Sequence, residues 1–218
     1  MDLDAEQVSI LRRHFELVCD VNRVVNLTRV TDPEEAVLKL YLSSLVVFPA
    51  LIEGGVVIEG LFNYLDLGTG AGFPGVPVAV AAPHLSGLLL DSRGKKAEFV
   101  GHALEALGLD RFAARKGRGA SLGREAPAFA DHFDLVTARA VTTVARTLRE
   151  VKDLVTPGGY VAIYKGPKLT AEEIEEGERA AKVEGFLSLG SCEIPVEDLS
   201  PRILLFSRWS AGDEWGQV

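Results

Sequence analysis

Residues 65–75 read Leu-Asp-Leu-Gly-Thr-Gly-Ala-Gly-Phe-Pro-Gly. Three glycines alternate at positions 68, 70 and 72, and an acid, Asp66, stands two places before the first. The apolar run 61–66 reads as a buried strand, and residues 75–82 read as a helix. A strand, a glycine turn and a helix in that order form the opening unit of an α/β sheet. Such a turn places backbone N–H groups and a helix N-terminus against a bound ligand. Glycine tolerates positive φ and lets a ligand come close to the backbone.

The next apolar run, Leu88-Leu89-Leu90, ends in Asp91, 23 residues after Gly68. In an α/β nucleotide fold, an acid at the end of the second strand hydrogen-bonds the ribose hydroxyls. Two ligand classes suit this layout, dinucleotides and S-adenosylmethionine. The dinucleotide turn is G-x-G-x-x-G, with the pyrophosphate on the helix N-terminus. Here the spacing is G-x-G-x-G behind Asp66. An acid so close to the turn repels a pyrophosphate and suits the α-ammonium of methionine. S-adenosylmethionine is therefore the better match, with a dinucleotide as the alternative.

Around this unit the pattern alternates. Further helices are expected near 94–107, 142–154 and 170–183, and strands near 87–91, 111–115, 133–138 and 159–164. The runs 185–194 and 202–209 have no helix between them and should pair antiparallel. Val8, Leu11, Phe15, Val18 and Val21 recur at helical spacing in the first helix. Asp32-Pro33-Glu34-Glu35 starts a second helix, from about 33 to 50. The expected architecture is a Rossmann-like α/β methyltransferase fold, its mostly parallel sheet ending in an antiparallel strand. Residues 1–53 form a helical segment packed on a core domain of 54–218.

No apolar run reaches membrane-spanning length, and the acidic Met1-Asp2-Leu3-Asp4 start is not a signal peptide. Cys19 and Cys192 make neither a disulfide framework nor a metal site. These features point to a soluble, cytoplasmic protein without a membrane partner. The net charge of −8 argues against a nucleic-acid partner, but its distribution does not. Residues 90–170 hold 14 Lys and Arg against 9 Asp and Glu, while the rest of the chain holds 9 against 22. The presumed ligand-binding half is locally basic.

The residues after the fourth strand restrict the methyl acceptor. Methylation of an exocyclic amine uses an Asn/Asp-Pro-Pro-aromatic loop, where this chain has Thr137-Ala138-Arg139-Ala140-Val141. Neither cysteine lies where a pyrimidine C5 mechanism needs its nucleophile, and clustered metal-ligating acids are missing near strand four. What remains is an acceptor with a free lone pair, of which guanine N7 is one. Arg139 is placed to read its O6/N7 edge, or else pairs with Asp134. Lys95, Lys96 and Arg118 are candidates for phosphate contact, and Lys165 ends the fifth strand. His14, His84, His102 and His132 are scattered and read as structural or surface residues.

Asn26-Leu27-Thr28, the glycine loop 65–75, Leu90-Asp91-Ser92-x-Gly94-Lys95-Lys96, Thr137-Ala-Arg139-Ala and Tyr164-Lys165-Gly166 together resemble the RsmG (GidB) family. Those proteins are guanine-N7 methyltransferases of 16S ribosomal RNA. The resemblance implies an S-adenosylmethionine donor and a guanosine in the decoding region of the small subunit. A monomer is expected; small-molecule methylation, or a non-catalytic cofactor-binding role in ribosome assembly, is the alternative. The implied cofactor contacts are Asp66, Gly68, Thr69, Gly70, Gly72, Phe73, Asp91, Ser92, Arg118, Gly119, Ala120 and Arg139. Arg139 and Lys165 are the implied catalytic residues. The chain departs from the family pattern at Leu40 and Ser43, where the family carries His and Asp. It departs again at Gly119-Ala120-Ser121, where the family carries an acid.

Overall fold

Successive residues of the central strands are buried on opposite faces, and this alternation organises the molecule. The computed structural model describes residues 2–196, 199 and 201–210. In β1 (Asn63–Leu67) and β2 (Ser86–Asp91), Tyr64 and Leu89 enter one core with Val76, Phe99 and Leu135. Leu65, Leu88 and Leu90 enter the other with Leu148, Val161 and Phe206. Both faces are covered, so the strands read as nearly continuous apolar runs, as parallel sheets do.

The remaining strands are β3 (Phe112–Lys116), β4 (Phe133–Arg139), β5 (Val155–Lys165), β6 (Phe186–Glu193) and β7 (Arg202–Arg208). Their order in the sheet is β3-β2-β1-β4-β5-β7-β6. β1 to β5 run parallel, and β7 runs antiparallel to both β5 and β6. The first three strands step outward from β1, and β4 returns to its other side. The carboxyl ends of β1 and β4 thus flank the switch point where open α/β sheets bind ligands.

α1 (Ala5–Val25) opens with a reciprocal cap between Asp4 and Gln7 and ends at Asn26, with φ 51°. Asn22 Oδ1 accepts the amides of Leu27 and Thr28 at 2.6 and 2.9 Å, and its Nδ2 donates to Thr28 O at 2.9 Å. One side chain thus fixes the Asn26-Leu27-Thr28 turn. A second helical run follows: α2 (Pro33–Ala36), a π-helical turn (Val37–Leu42), α3 (Ser43–Leu45) and α4 (Val47–Glu53). Leu11, Val18, Phe48 and Leu51 share the first core with the sheet, so these helices are built into it.

Two expectations need correction. By length and composition, Pro33–Glu53 is apolar enough to cross a membrane, with a mean hydropathy of 1.7. Lys39, Ser43 and Ser44 interrupt the run, which hid this in the sequence; half of it is buried in the fold. β5 starts at Val155 and not near 159, because a register shift opposite Phe133 and Leu135 keeps the Pro157-Gly158-Gly159 stretch within the strand. A short helix, α7 (Gly119–Glu125), follows the basic segment after β3. The other helices are α5 (Gly75–Ala81), α6 (Gly94–Ala106), α8 (Val144–Val151) and α9 (Ala171–Glu184).

Candidate functional site

The glycine loop is bonded to β2. The amides of Gly68 and Thr69 donate to Leu90 O at 2.7 and 3.0 Å. Asp91 accepts the Gly70 amide on Oδ2 at 2.9 Å and the Arg93 amide on Oδ1 at 2.8 Å. Gly68 has φ 76°, and a Cβ there would lie 2.7 Å from Val141 Cγ2. Gly72 has φ 95°, and a Cβ there would lie 2.8 Å from Val76 Cγ2 and 3.0 Å from His14 Nε2. Both positions demand glycine by backbone angle and by space.

Asp66 does not open onto the cavity beside the loop. It is fully buried, its Oδ2 accepting the Gly75 amide at 2.9 Å and its Oδ1 the Thr137 hydroxyl at 3.1 Å. Burial raises its pKa to about 6, against the pull of those donors and of the Arg139 charge. The expectation of a carboxylate facing a methionine ammonium is corrected here: Asp66 ties the end of β1 to the start of α5.

A cavity of about 410 Å³ lies at the switch point. Gly68, Thr69, Gly70, Ala71 and Phe73 form one wall; Asp91, Ser92, Arg93 and Lys96 form another. Leu27, Thr28 and Leu40 cover it from the N-terminal helices, and Arg139, Ala140 and Val141 close the far side. A neighbouring cleft of about 200 Å³ shares Gly68, Ser92 and Val141 and adds Gly117, Arg118 and Thr142. A third cavity, about 380 Å³, shares Arg139 and Ala140 with the first and adds Lys39, Ser43, Tyr164 and Lys165.

Arg139 therefore stands between two cavities. Its Nη2 donates to Lys39 O at 2.6 Å, and its Nη1 donates to Ser44 Oγ at 3.0 Å and Leu40 O at 3.4 Å. Its guanidinium lies 6.0 Å from the Tyr164 ring centroid. Burial lowers its pKa, opposed by the neighbouring Tyr164 and Asp66 side chains. The alternative partner Asp134 instead accepts the amides of Phe62 and Asn63 at 2.9 and 2.8 Å. Lys165 donates to Thr142 O at 2.6 Å and pairs with Glu173 at 2.7 Å.

The structure thus brings Gly68, Thr69, Gly70, Phe73, Asp91, Ser92 and Arg139 around one cavity, with Arg118 in the adjoining cleft. It leaves out four expected contacts. Asp66 and Gly72 are buried and do not line the cavity, Gly119 packs against Glu150 on α8, and Ala120 is exposed on α7. Leu27, Thr28 and Leu40 were not expected as cavity residues, and Lys96, expected at phosphate, lines this cavity. His14 also has a role that the sequence reading left open: it is fully buried, and its Nε2 lies 3.0 Å from Ala71 O. Its place between Leu11 and Val18 on the apolar stripe of α1 was the available signal.

The reversed β7 on a parallel sheet, the glycine loop at the switch point and the acid ending β2 define a Rossmann-like methyltransferase fold. The Methanococcus jannaschii fibrillarin pre-rRNA processing protein has this fold. It superposes with a TM-score of 0.55 at 17% identity, over 68% of this chain and 66% of that one. The chain belongs to the rRNA small subunit methyltransferase G (GidB) family, whose model matches residues 7–194. Ribosomal RNA small subunit methyltransferase G of Lachnoclostridium phytofermentans is 37% identical over 185 residues, 85% of this chain and 74% of that protein. Its counterpart in Lactobacillus acidophilus is 35% identical, over 84% and 75%.

Proposed function

We propose that this methyltransferase acts as a monomer and moves a methyl group from S-adenosylmethionine to N7 of a guanosine in the decoding region of 16S ribosomal RNA. The observation that carries this reading is the position of Arg139, in the wall shared by the 410 Å³ cavity and the cavity that holds Lys165. The first cavity suits the methyl donor. Asp91 offers a carboxylate to ribose hydroxyls, the bare backbone at Gly70 admits close approach, and Arg93 and Lys96 are cations for the methionine carboxylate. S-adenosylmethionine supplies an electrophilic methyl group on its sulfonium.

Guanine N7 carries an accessible lone pair, so the protein needs no general base at the acceptor. Its contribution is alignment. A guanidinium has five N–H groups, more than the three contacts Arg139 makes, and can donate to guanine O6 while leaving N7 clear. The exposed Arg118 and Arg146 lie at the rim of the adjoining cleft, where backbone phosphates would be neutralised.

Transfer of tritiated methyl to small subunits lacking the modification tests this. Label should enter 16S RNA, and borohydride reduction followed by aniline should break the product at the modified base. Label that survives this treatment with the RNA intact would exclude N7 as the acceptor.

A further inference from the structure

The π-helical turn Val37–Leu42 touches both sides of the site. In an α-helix each carbonyl is claimed by the amide four residues on; a π turn shifts the claim to the amide five residues on, and each carbonyl oxygen keeps a second lone pair for another donor. Lys39 O and Leu40 O in this turn accept from Arg139. The hydroxyls of Ser43 and Ser44 donate to the same two carbonyls, and Ser44 Oγ also accepts from Arg139. The Arg139 guanidinium is thus seated on main-chain oxygen and one hydroxyl.

Tyr41, in the same turn, reaches the other way. Its hydroxyl lies 3.0 Å from His14 Nδ1, and His14 Nε2 lies 3.0 Å from Ala71 O. A carbonyl can only accept, so His14 carries its proton on Nε2 and Tyr41 donates to Nδ1. His14 and Tyr41 also pack on Phe73, with ring centroids 5.2 and 5.1 Å away. Ala71 and Phe73 both line the 410 Å³ cavity.

We infer that this turn is the positioning element of the site. Its Tyr41–His14 arm sets the glycine loop that receives the methyl donor, and its carbonyls with Ser44 set the guanidinium that faces the acceptor. His14, Tyr41 and Ser44 are positioning residues on this account. The inference rests on the proposed assignment of the two cavities. Its physical content is that the two arms act on different steps.

Full-length Tyr41→Phe, His14→Ala, His14→Gln and Ser44→Ala are compared with the unmodified protein. The readouts are calorimetry with S-adenosylhomocysteine and steady-state kinetics on small subunits. Tyr41→Phe and His14→Ala should weaken binding about tenfold and raise KM for the donor, the scale of one lost buried hydrogen bond. Their kcat at saturating donor should stay within about twofold. His14→Gln keeps an N–H for Ala71 O and should recover most of the affinity. Ser44→Ala should lower kcat about tenfold with affinity unchanged. Equal losses of kcat and affinity in both arms, or no loss in either, would overturn the inference. A ligand-free readout separates this from failure of the cofactor assignment. The amides of Gly72 and Phe73 donate to Thr69 O at 2.8 and 2.9 Å, and their hydrogen exchange should quicken in Tyr41→Phe and His14→Ala. Unchanged protection would overturn the loop arm even if no variant, nor the unmodified protein, bound the ligand.

Discussion

Asp91 accepts the amide proton of Gly70 at 2.9 Å, joining the end of β2 to the middle of the glycine loop. Its other oxygen caps the turn into α6 through Arg93. Asp91 is only 7% exposed and lines the cavity. Asp91→Ala should weaken S-adenosylhomocysteine binding by about 1–3 kcal/mol, through a lost charge-assisted acceptor and a loosened loop. Asp91→Asn should fall between the two. Calorimetry decides this, and full affinity in Asp91→Ala would assign Asp91 to the loop alone.

Arg139 forms part of both cavities, yet its polar contacts are to the N-terminal helices. Arg139→Ala should reduce single-turnover methyl transfer roughly a hundredfold while donor affinity changes by less than about threefold. Arg139→Lys should restore little, because an ammonium lacks the planar fork that spans two carbonyls and a base edge. Parallel loss of donor affinity would instead make Arg139 a cofactor residue.

Gly72 and Gly55 both have positive φ, but only Gly72 is crowded. A Cβ at Gly55 meets nothing within 4 Å, whereas one at Gly72 meets Val76 and His14. Gly55→Ala isolates the backbone cost, about 1 kcal/mol. Gly72→Ala adds overpacking and should cost about 1–3 kcal/mol more in urea unfolding. Equal costs at the two sites would show that the loop relaxes away from His14.

His14 and Asp66 oppose each other in acid. Burial lowers the His14 pKa to about 4 from 6.5, so between those values the unfolded chain binds a proton that the native state lacks. Acidification from pH 7 to 4 therefore removes up to about 3 kcal/mol through His14. Burial raises the Asp66 pKa to about 6 from 3.8, so there the native state binds the extra proton. Acidification through that window adds stability of similar size, about 3 kcal/mol. The two nearly cancel in the native protein. In His14→Gln the Asp66 contribution stands alone, and the variant should gain on the native protein by about 3 kcal/mol as pH falls from 7 to 4. Urea unfolding across that range measures it; a flat difference would mean that His14 titrates normally.

The apolar run Leu88-Leu89-Leu90, the glycines at 68, 70 and 72, and Asp91 at a strand end were legible because each is a local signal. Strand burial has a period of two, positive φ favours glycine, and parallel strands bring their carboxyl ends together. From these the parallel sheet and the place of the cavity follow, and the lack of a helix between the runs 185–194 and 202–209 adds the antiparallel pairing at its end. The partners of the buried polar groups were not legible. Asp66 meets Thr137 across 71 residues, His14 meets Ala71 across 57, and Arg139 meets Lys39 O across 100. No local pattern encodes which carbonyl a buried donor will find. Packing of the N-terminal helices on the sheet brings those groups together, and the cost of leaving any one unpaired holds them there. The π turn belongs to the same class: its apolar spacing reads as ordinary helix, and its altered register emerges only where His14 and Arg139 meet it from opposite sides.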